Sequence, residues 1–231
     1  MYMSFDVAMT LGVWICLLGM LHVIFLPLFS HKMNPLSMTH QTVLMLGQFA
    51  VSIEALRNML RWYWCDGIQA WVLPGMSTMT VSLEYRLMGV YAYDLILLSR
   101  SKPYGVAFLH RIMSMGVCLL NVLAPCGNDM LHTTAIVIME YPSVFVHAWT
   151  TMEEFNDRSA LVCFTVARSV FFACRMIGLG FLCLVYLVFH ASWAWNHTMM
   201  ILSLVLIYMS SLRWLHRVSV SRPAVVSRCR V

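Results

Sequence analysis

The residues best suited to chemistry in this chain are ionisable side chains that lie inside long apolar runs. They are Glu54, Arg57, Glu84, Arg86, Asp94, His110, Arg111, Glu140, Arg168 and Arg175. A charge at the centre of a bilayer costs a few kcal/mol or more, so such groups normally face the interior of a helix bundle and pair there. By default they indicate function, here a catalytic or headgroup-binding site. The alternative is a satisfied salt-bridge network that only fixes helix packing.

Asp94, His110 and Arg111 form the most promising group. Asp94 lies near the end of one apolar run, and the other two lie near the start of the next run. Because a short loop joins the two runs, we expect all three side chains at a similar depth. If the protein is an enzyme, His110 and Asp94 are the predicted catalytic residues.

Spacing along single helices predicts further pairs. Glu54 and Arg57 are three residues apart, on one helix face, where they can pair with each other. Arg168 and Arg175 are seven apart and are predicted to share a face. Their counter-ions must come from other helices, and Glu140 is the predicted one.

The amino-acid composition indicates the class of structure that positions these residues. Hydrophobic residues make up 61% of the 231-residue chain and charged residues only 11%, with a mean hydropathy of +0.76. A soluble domain carries roughly 25% charged residues. We therefore predict an all-α, polytopic membrane protein with about seven transmembrane helices of about 20 residues each. The predicted runs are Val7–Phe29, Thr42–Arg61, Thr78–Leu98, Tyr104–Leu123, Met130–Thr150, Ala160–Phe189 and Trp195–Leu212.

Loop charges predict the orientation. With seven spans, one side of the membrane holds a single clear basic residue, Arg61. The other side holds nine, namely Lys32, Arg100, Lys102, Arg158, Arg213, Arg217, Arg222, Arg228 and Arg230. The positive-inside rule then places the basic C-terminus in the cytosol or matrix. This tail either binds anionic lipid headgroups or serves only as a topology signal.

Metal, cofactor and nucleic-acid sites are not expected. Neither CxxC nor CxxH spacing occurs, which argues against zinc. His132 and His147, in the fifth run, lack a matching histidine pair on another helix, so haem is not expected either. Cys65 and Cys126 fall in loops on the Arg-poor side, and a disulfide between them is a further hypothesis.

Four segments, taken in order, resemble the TLC-domain family, which includes the ceramide synthases. Gly89-Val-Tyr-Ala-Tyr-Asp94 resembles its glycine–aromatic–aspartate helix, and Phe108-Leu-His-Arg-Ile-Met-Ser114 resembles the helix that follows. Met139-Glu-Tyr-Pro-Ser-Val-Phe145 and Val170-Phe-Phe-Ala-Cys-Arg-Met-Ile177 resemble two later helices. The resemblance covers residues from about 50 to 210 and implies six helices around a lipid-accessible cavity, plus one flanking N-terminal helix.

One departure from the family pattern bears on activity. Where ceramide synthases carry adjacent histidines, this chain has His110-Arg111. An acyl transfer that uses imidazole as base or nucleophile would then have only one imidazole, beside a fixed cation. We therefore expect a divergent, non-catalytic member whose polar core is Asp94, His110, Arg111, Glu140, Arg168 and Arg175.

The expected function is to bind or organise membrane lipids as an accessory subunit, held by other integral membrane proteins. The alternative is a ceramide-synthase-like acyltransferase that acts on a long-chain amine; a seven-helix receptor fits the loops poorly. Residues 1–41 are predicted to form the flanking helix and loop, 42–212 the TLC-like bundle and 213–231 the basic tail. The endoplasmic reticulum or the mitochondrial inner membrane is the expected location.

Overall fold

The computed structural model describes residues 3–32, 34–72, 75–101, 106–123, 128–153, 155, 157–189 and 195–228. Within these ranges the protein is all-helical, as predicted, with one isolated β-bridge between Gly75 and Asn128. The helices are α1 (Met3–Phe25), α2 (Pro35–Asp66), α3 (Thr78–Ser101), α4 (Val106–Leu123), α5 (Asp129–Met152), α6 (Asp157–Phe171), α7 (Leu179–Phe189) and α8 (Trp195–Arg228). Short 3-10 turns, Leu26–Phe29 and Gly67–Trp71, extend α1 and α2.

Within the described ranges these helices form seven helical segments, each of which overlaps one of the seven predicted apolar runs. Four segments are long and apolar enough to cross a membrane by length and composition: Met9–Phe29, Pro35–Trp71, Ser159–Phe189 and His197–His216. Phe108–Leu123 is apolar but shorter. Helices α3 and α5 do not meet this test because polar and ionisable residues replace apolar ones along them. Helix length and composition therefore indicate four candidate spans among the described residues, and the seven-span arrangement stays a prediction.

The sixth helical segment contains a π-helical turn, Phe172–Gly178, between α6 and α7. Through this turn the chain continues by i→i+5 hydrogen bonds, which place an additional residue in the turn. Pro142 lies inside a continuous α5.

Packing centres on α2, α3 and α5. Two apolar clusters form the core, one between α1, α2, α3 and α4 and the other between α5, α7 and α8. Helix α1 approaches α3 closely at Gly89, where an added Cβ would lie 2.8 Å from the Cβ of Trp14. The remaining surface of α1 is largely exposed, so α1 flanks the bundle.

The distribution of polar residues is opposite to that of a soluble bundle. Gln48, Ser52 and Asn58 of α2 are fully buried, although each is polar. Val23 and Phe181, in contrast, are 71% and 54% exposed. A polar interior beneath an apolar outer surface is the arrangement that lipid solvation favours.

The domain boundaries predicted at residues 41/42 and 212/213 both fall inside helices. Helix α2 already begins at Pro35, and α8 continues without a break to Arg228. The predicted basic tail therefore extends the last helix within the described residues. Cys126 lies outside the described residues, so the Cys65–Cys126 disulfide stays a prediction.

Candidate functional site: a polar cavity at one end of the bundle

A cavity of about 870 Å³ lies at one end of the helix bundle. Its lining comes from the segments where α3 and α5 end, where α2 and α4 begin, and from the later part of α8. The lining residues are His22, Leu36, Ser37, His40, Gln41, Leu44, Asp94, Leu97, Leu98, His110, Arg111, Ser143, Val146, His147, Phe171, Arg175, Ser210, Ser211, Arg213 and Trp214.

Asp94 forms the centre of the polar side of the cavity. Its Oδ2 accepts a hydrogen bond from Nε of Arg111 at 2.5 Å, and its Oδ1 lies 2.9 Å from Nε2 of His40. The guanidinium of Arg111 also lies over the ring of Tyr91. The predicted approach of Asp94 to Arg111 is therefore confirmed, and His40 is an additional partner from α2.

Three more histidines line the same cavity. His147 contacts Oε1 of Gln41 through Nδ1, and His22 contacts the hydroxyl of Tyr93 through Nδ1 at 2.7 Å. His110 lies in the lining, as expected for a site residue. The prediction of a single imidazole beside a fixed cation is therefore wrong. Helices α1, α2 and α5 each bring a further histidine to the cavity, and the sequence of α4 alone does not show this.

Arg175 reaches the cavity from the π-helical turn. Its guanidinium donates to the carbonyl oxygen of Met139 and, at 3.4 Å, to the hydroxyl of Ser143. Only 3% of Arg175 is exposed, and its Nε has no hydrogen-bond partner. The π-helical turn creates this position, because its wider turn moves Arg175 away from the register of α6.

Arg168 does not join the site. It is half-buried on α6 and does not line the cavity, so the structure does not bring it to the site with Arg175. The 3.6-residue period, on which the prediction of a shared face rested, is broken by the π-helical turn between the two residues.

Glu140 is a near neighbour of the site rather than the direct counter-ion of an arginine. Its Oε1 accepts a hydrogen bond from the Tyr91 hydroxyl at 2.5 Å, while Oε2 has no hydrogen-bond partner. It interacts electrostatically with both Arg111 and Arg175. The predicted proximity to cations is therefore confirmed, but no direct ion pair forms.

Glu54 pairs with Arg86 of α3 instead of Arg57. Arg57 is exposed on the outer side of α2, whereas Arg86 faces α2 from the neighbouring helix. The local pair was predicted from i,i+3 spacing, which shows only that two residues share a face. Which side chain binds Glu54 depends on the helix packed against that face.

His22, His40, Gln41 and His147 are the site residues that the sequence did not indicate. They come from three different helices, α1, α2 and α5, and nothing in the sequence relates the depths of these helices. One feature of the sequence could have indicated two of them. His40 and Gln41 follow Pro35 closely, so they lie in the first turns of a helix that begins at the same end of the bundle as Asp94.

The cavity combines an apolar wall with a cationic polar end. One carboxylate, Asp94, faces three guanidiniums among the described lining residues, and counting nearby Glu140 still leaves positive charge in excess. Leucine, valine, phenylalanine and tryptophan side chains also line the cavity, together with four histidines, four serines and Gln41. Among the residues that the structure describes, no group of three or more His, Cys, Asp or Glu side chains could hold a metal ion.

Comparison with protein-family models, curated proteins and solved structures finds no match for the chain.

Proposed function

We propose that this chain is a multi-pass membrane protein that binds the anionic group of a lipid, a phosphate or a carboxylate, in the cavity. The observation that carries the proposal is Arg175, a buried guanidinium at the cavity wall with one N–H unpartnered. Arg111, in contrast, is neutralised by Asp94. An unpaired cation in an apolar environment is costly, and a bound anion would remove that cost.

The shape of the cavity fits the same ligand class. Its volume lies in the range of small-molecule sites, which are mostly apolar with a few convergent polar groups. Arg213 and Trp214 of α8 also line the cavity and contribute a second cation without a carboxylate partner in the lining and an aromatic ring. An amphipathic molecule could therefore place its headgroup against Arg175 and its chain against the leucines.

The experiment compares two variants from the same helical segment. Arg175→Gln removes the cavity guanidinium, and Arg168→Gln removes a half-buried arginine that does not line the cavity. The purified protein is reconstituted into nanodiscs that contain equal amounts of phosphatidic acid and phosphatidylcholine. It is then released from the nanodiscs, and the lipids that stay bound to it are identified by native mass spectrometry. We expect phosphatidic acid to be retained by the wild type and by Arg168→Gln, and to be lost from Arg175→Gln.

Equal retention of both lipids by the wild type, or unchanged retention in Arg175→Gln, would contradict the proposal. A second arm with a long-chain fatty acid in place of phosphatidic acid distinguishes a carboxylate from a phosphate ligand.

We also propose that the chain has the TLC-type arrangement, is an accessory subunit and lies in the endoplasmic reticulum or mitochondrial inner membrane. The role predicts that other integral membrane proteins hold the chain in a complex. Purification in mild detergent from fractionated organelles, followed by mass spectrometry, tests partners and location together. A monomer free of co-purifying membrane proteins would contradict the accessory role.

A second candidate function rests on the contact between His40 and Asp94. If Nε2 carries the proton and points at the carboxylate, Nδ1 is left as a base. It could take a proton from an amine that attacks a thioester carbonyl, while the thiolate departs as leaving group. The base of such an acyltransferase would then be His40, oriented by Asp94, rather than His110.

A further inference from the structure

A row of buried polar residues leads away from the cavity through the interior of the bundle. It comprises Ser77, directly before α3, and then Thr80, Glu84, Tyr91 and Asp94 of α3, whose spacings of three, four and seven residues keep them on one helix face. Thr80 and Glu84 are at most 2% exposed. From Ser77 to Asp94 the helix rises about 26 Å, close to the ~30 Å thickness of a hydrocarbon core.

Helix α5 carries matching residues at each level. At the end opposite the cavity, Asp129 Oδ1 accepts hydrogen bonds from the backbone N–H and the hydroxyl of Ser77, at 2.8 and 2.9 Å. Farther along, Glu140 accepts from Tyr91. These contacts pair α3 with α5 at both ends of the row.

Glu84 and His132 form the middle level, which the proposed lipid site does not use. Oε1 of Glu84 lies 3.3 Å from Nδ1 of His132 and accepts a hydrogen bond from Asn121 at 3.0 Å. Glu84, His132 and Asn121 are 2%, 3% and 6% exposed. A carboxylate and an imidazole in contact at this depth are groups that can exchange a proton.

The longest step along α3 runs from Glu84 to Tyr91, about 10 Å at 1.5 Å per residue. Cys118 of α4, which is 4% exposed, lies along this step, since it is close enough to Glu84 and Glu140 to interact electrostatically with both. Glu140 in turn interacts with Arg111, the partner of Asp94. The row therefore continues from Glu84 to the cavity.

We infer that this row, from Asp129 through Glu84 and His132 to Glu140 and Asp94, is a proton path between the cavity and the opposite end of the bundle. In each step a carboxylic acid or imidazolium releases a proton to the next carboxylate, imidazole or intervening water, so no oxidant or co-reactant is needed. Oε2 of Glu140 and Oδ1 of Asn121 are both buried without a hydrogen-bond partner, which leaves acceptors along the row for a proton or a water molecule. The inference rests on the proposed multi-pass arrangement, which places the two ends on opposite sides of a membrane.

The test measures proton entry into vesicles. Purified full-length protein is reconstituted into liposomes that contain a pH-sensitive dye, and valinomycin sets a potassium diffusion potential. We expect faster acidification than in protein-free vesicles, and a rate reduced to the protein-free level in Glu84→Gln. The matched control is Glu54→Gln, which removes a carboxylate that pairs with Arg86 outside the row and should keep the wild-type rate.

His132→Asn is a second variant that also interrupts the row. Retention of phosphatidic acid, measured on each sample, reports whether the cavity is intact. Loss of flux with retained lipid supports the path. Wild-type flux no greater than that of protein-free vesicles, or wild-type flux in both Glu84→Gln and His132→Asn, would overturn it. Neither result bears on lipid binding, so the proton path and the lipid site can be refuted independently of each other.

Discussion

Asp94→Asn is expected to destabilise the bundle because it strands a buried cation. The side chains of Asp94 and Arg111 are only 4% and 11% exposed, and 2.5 Å separates Oδ2 from Nε. Removal of one partner of a buried ion pair typically costs about 3–5 kcal/mol, since the other charge stays buried without compensation. Asparagine keeps the size of the side chain and one acceptor oxygen. We therefore expect the lower end of this range, about 3 kcal/mol.

A double-mutant cycle isolates the pairing from the other effects. Arg111→Gln alone strands the Asp94 carboxylate, which keeps its contact with His40. The double variant removes both charges, so its cost should be smaller than the sum of the single costs by about 2 kcal/mol.

Chemical unfolding of the purified protein in bicelles, followed by tryptophan fluorescence, gives the three free-energy changes. The reasoning is refuted if the double variant equals the sum of the single variants. It is refuted as well if Asp94→Asn costs less than about 1 kcal/mol, the value typical of solvent-exposed pairs.

Three further predictions concern topology, activity and packing. Protease protection of tags at both ends should place the basic C-terminus in the cytosol or matrix and the N-terminus on the other side; both ends on one side would refute an odd number of spans. Purified protein given an acyl-coenzyme A and long-chain amines should show no acyl transfer, and transfer that disappears in His110→Ala or His40→Ala would establish the acyltransferase instead. Gly89→Ala should lower stability by about 1–3 kcal/mol, because its Cβ would meet that of Trp14 at 2.8 Å. Gly116→Ala, with open space around it, should raise stability by about 0.5–1 kcal/mol through helix propensity, and equal thermal shifts in the two variants would contradict this packing.

The positions of the helical segments and one pair within the site could be predicted from the sequence. Long apolar runs must form helices in lipid, because only a helix satisfies every backbone group within a single segment. The contact between Asp94 and Arg111 followed from a short loop that joins the ends of two successive helices. Both inferences depend on neighbours along the chain, which the sequence specifies directly.

The tertiary structure alone decided which distant side chains meet. His40 reaches Asp94, Arg86 replaces Arg57 as the partner of Glu54, and Glu84 contacts His132, all across helix interfaces. Periodicity defines the face that a residue occupies, but the rotation and depth of each helix in the bundle depend on the packing of all its neighbours. The π-helical turn at Phe172–Gly178 is the clearest case, since one wider turn separates Arg175 from Arg168 and brings only Arg175 to the cavity.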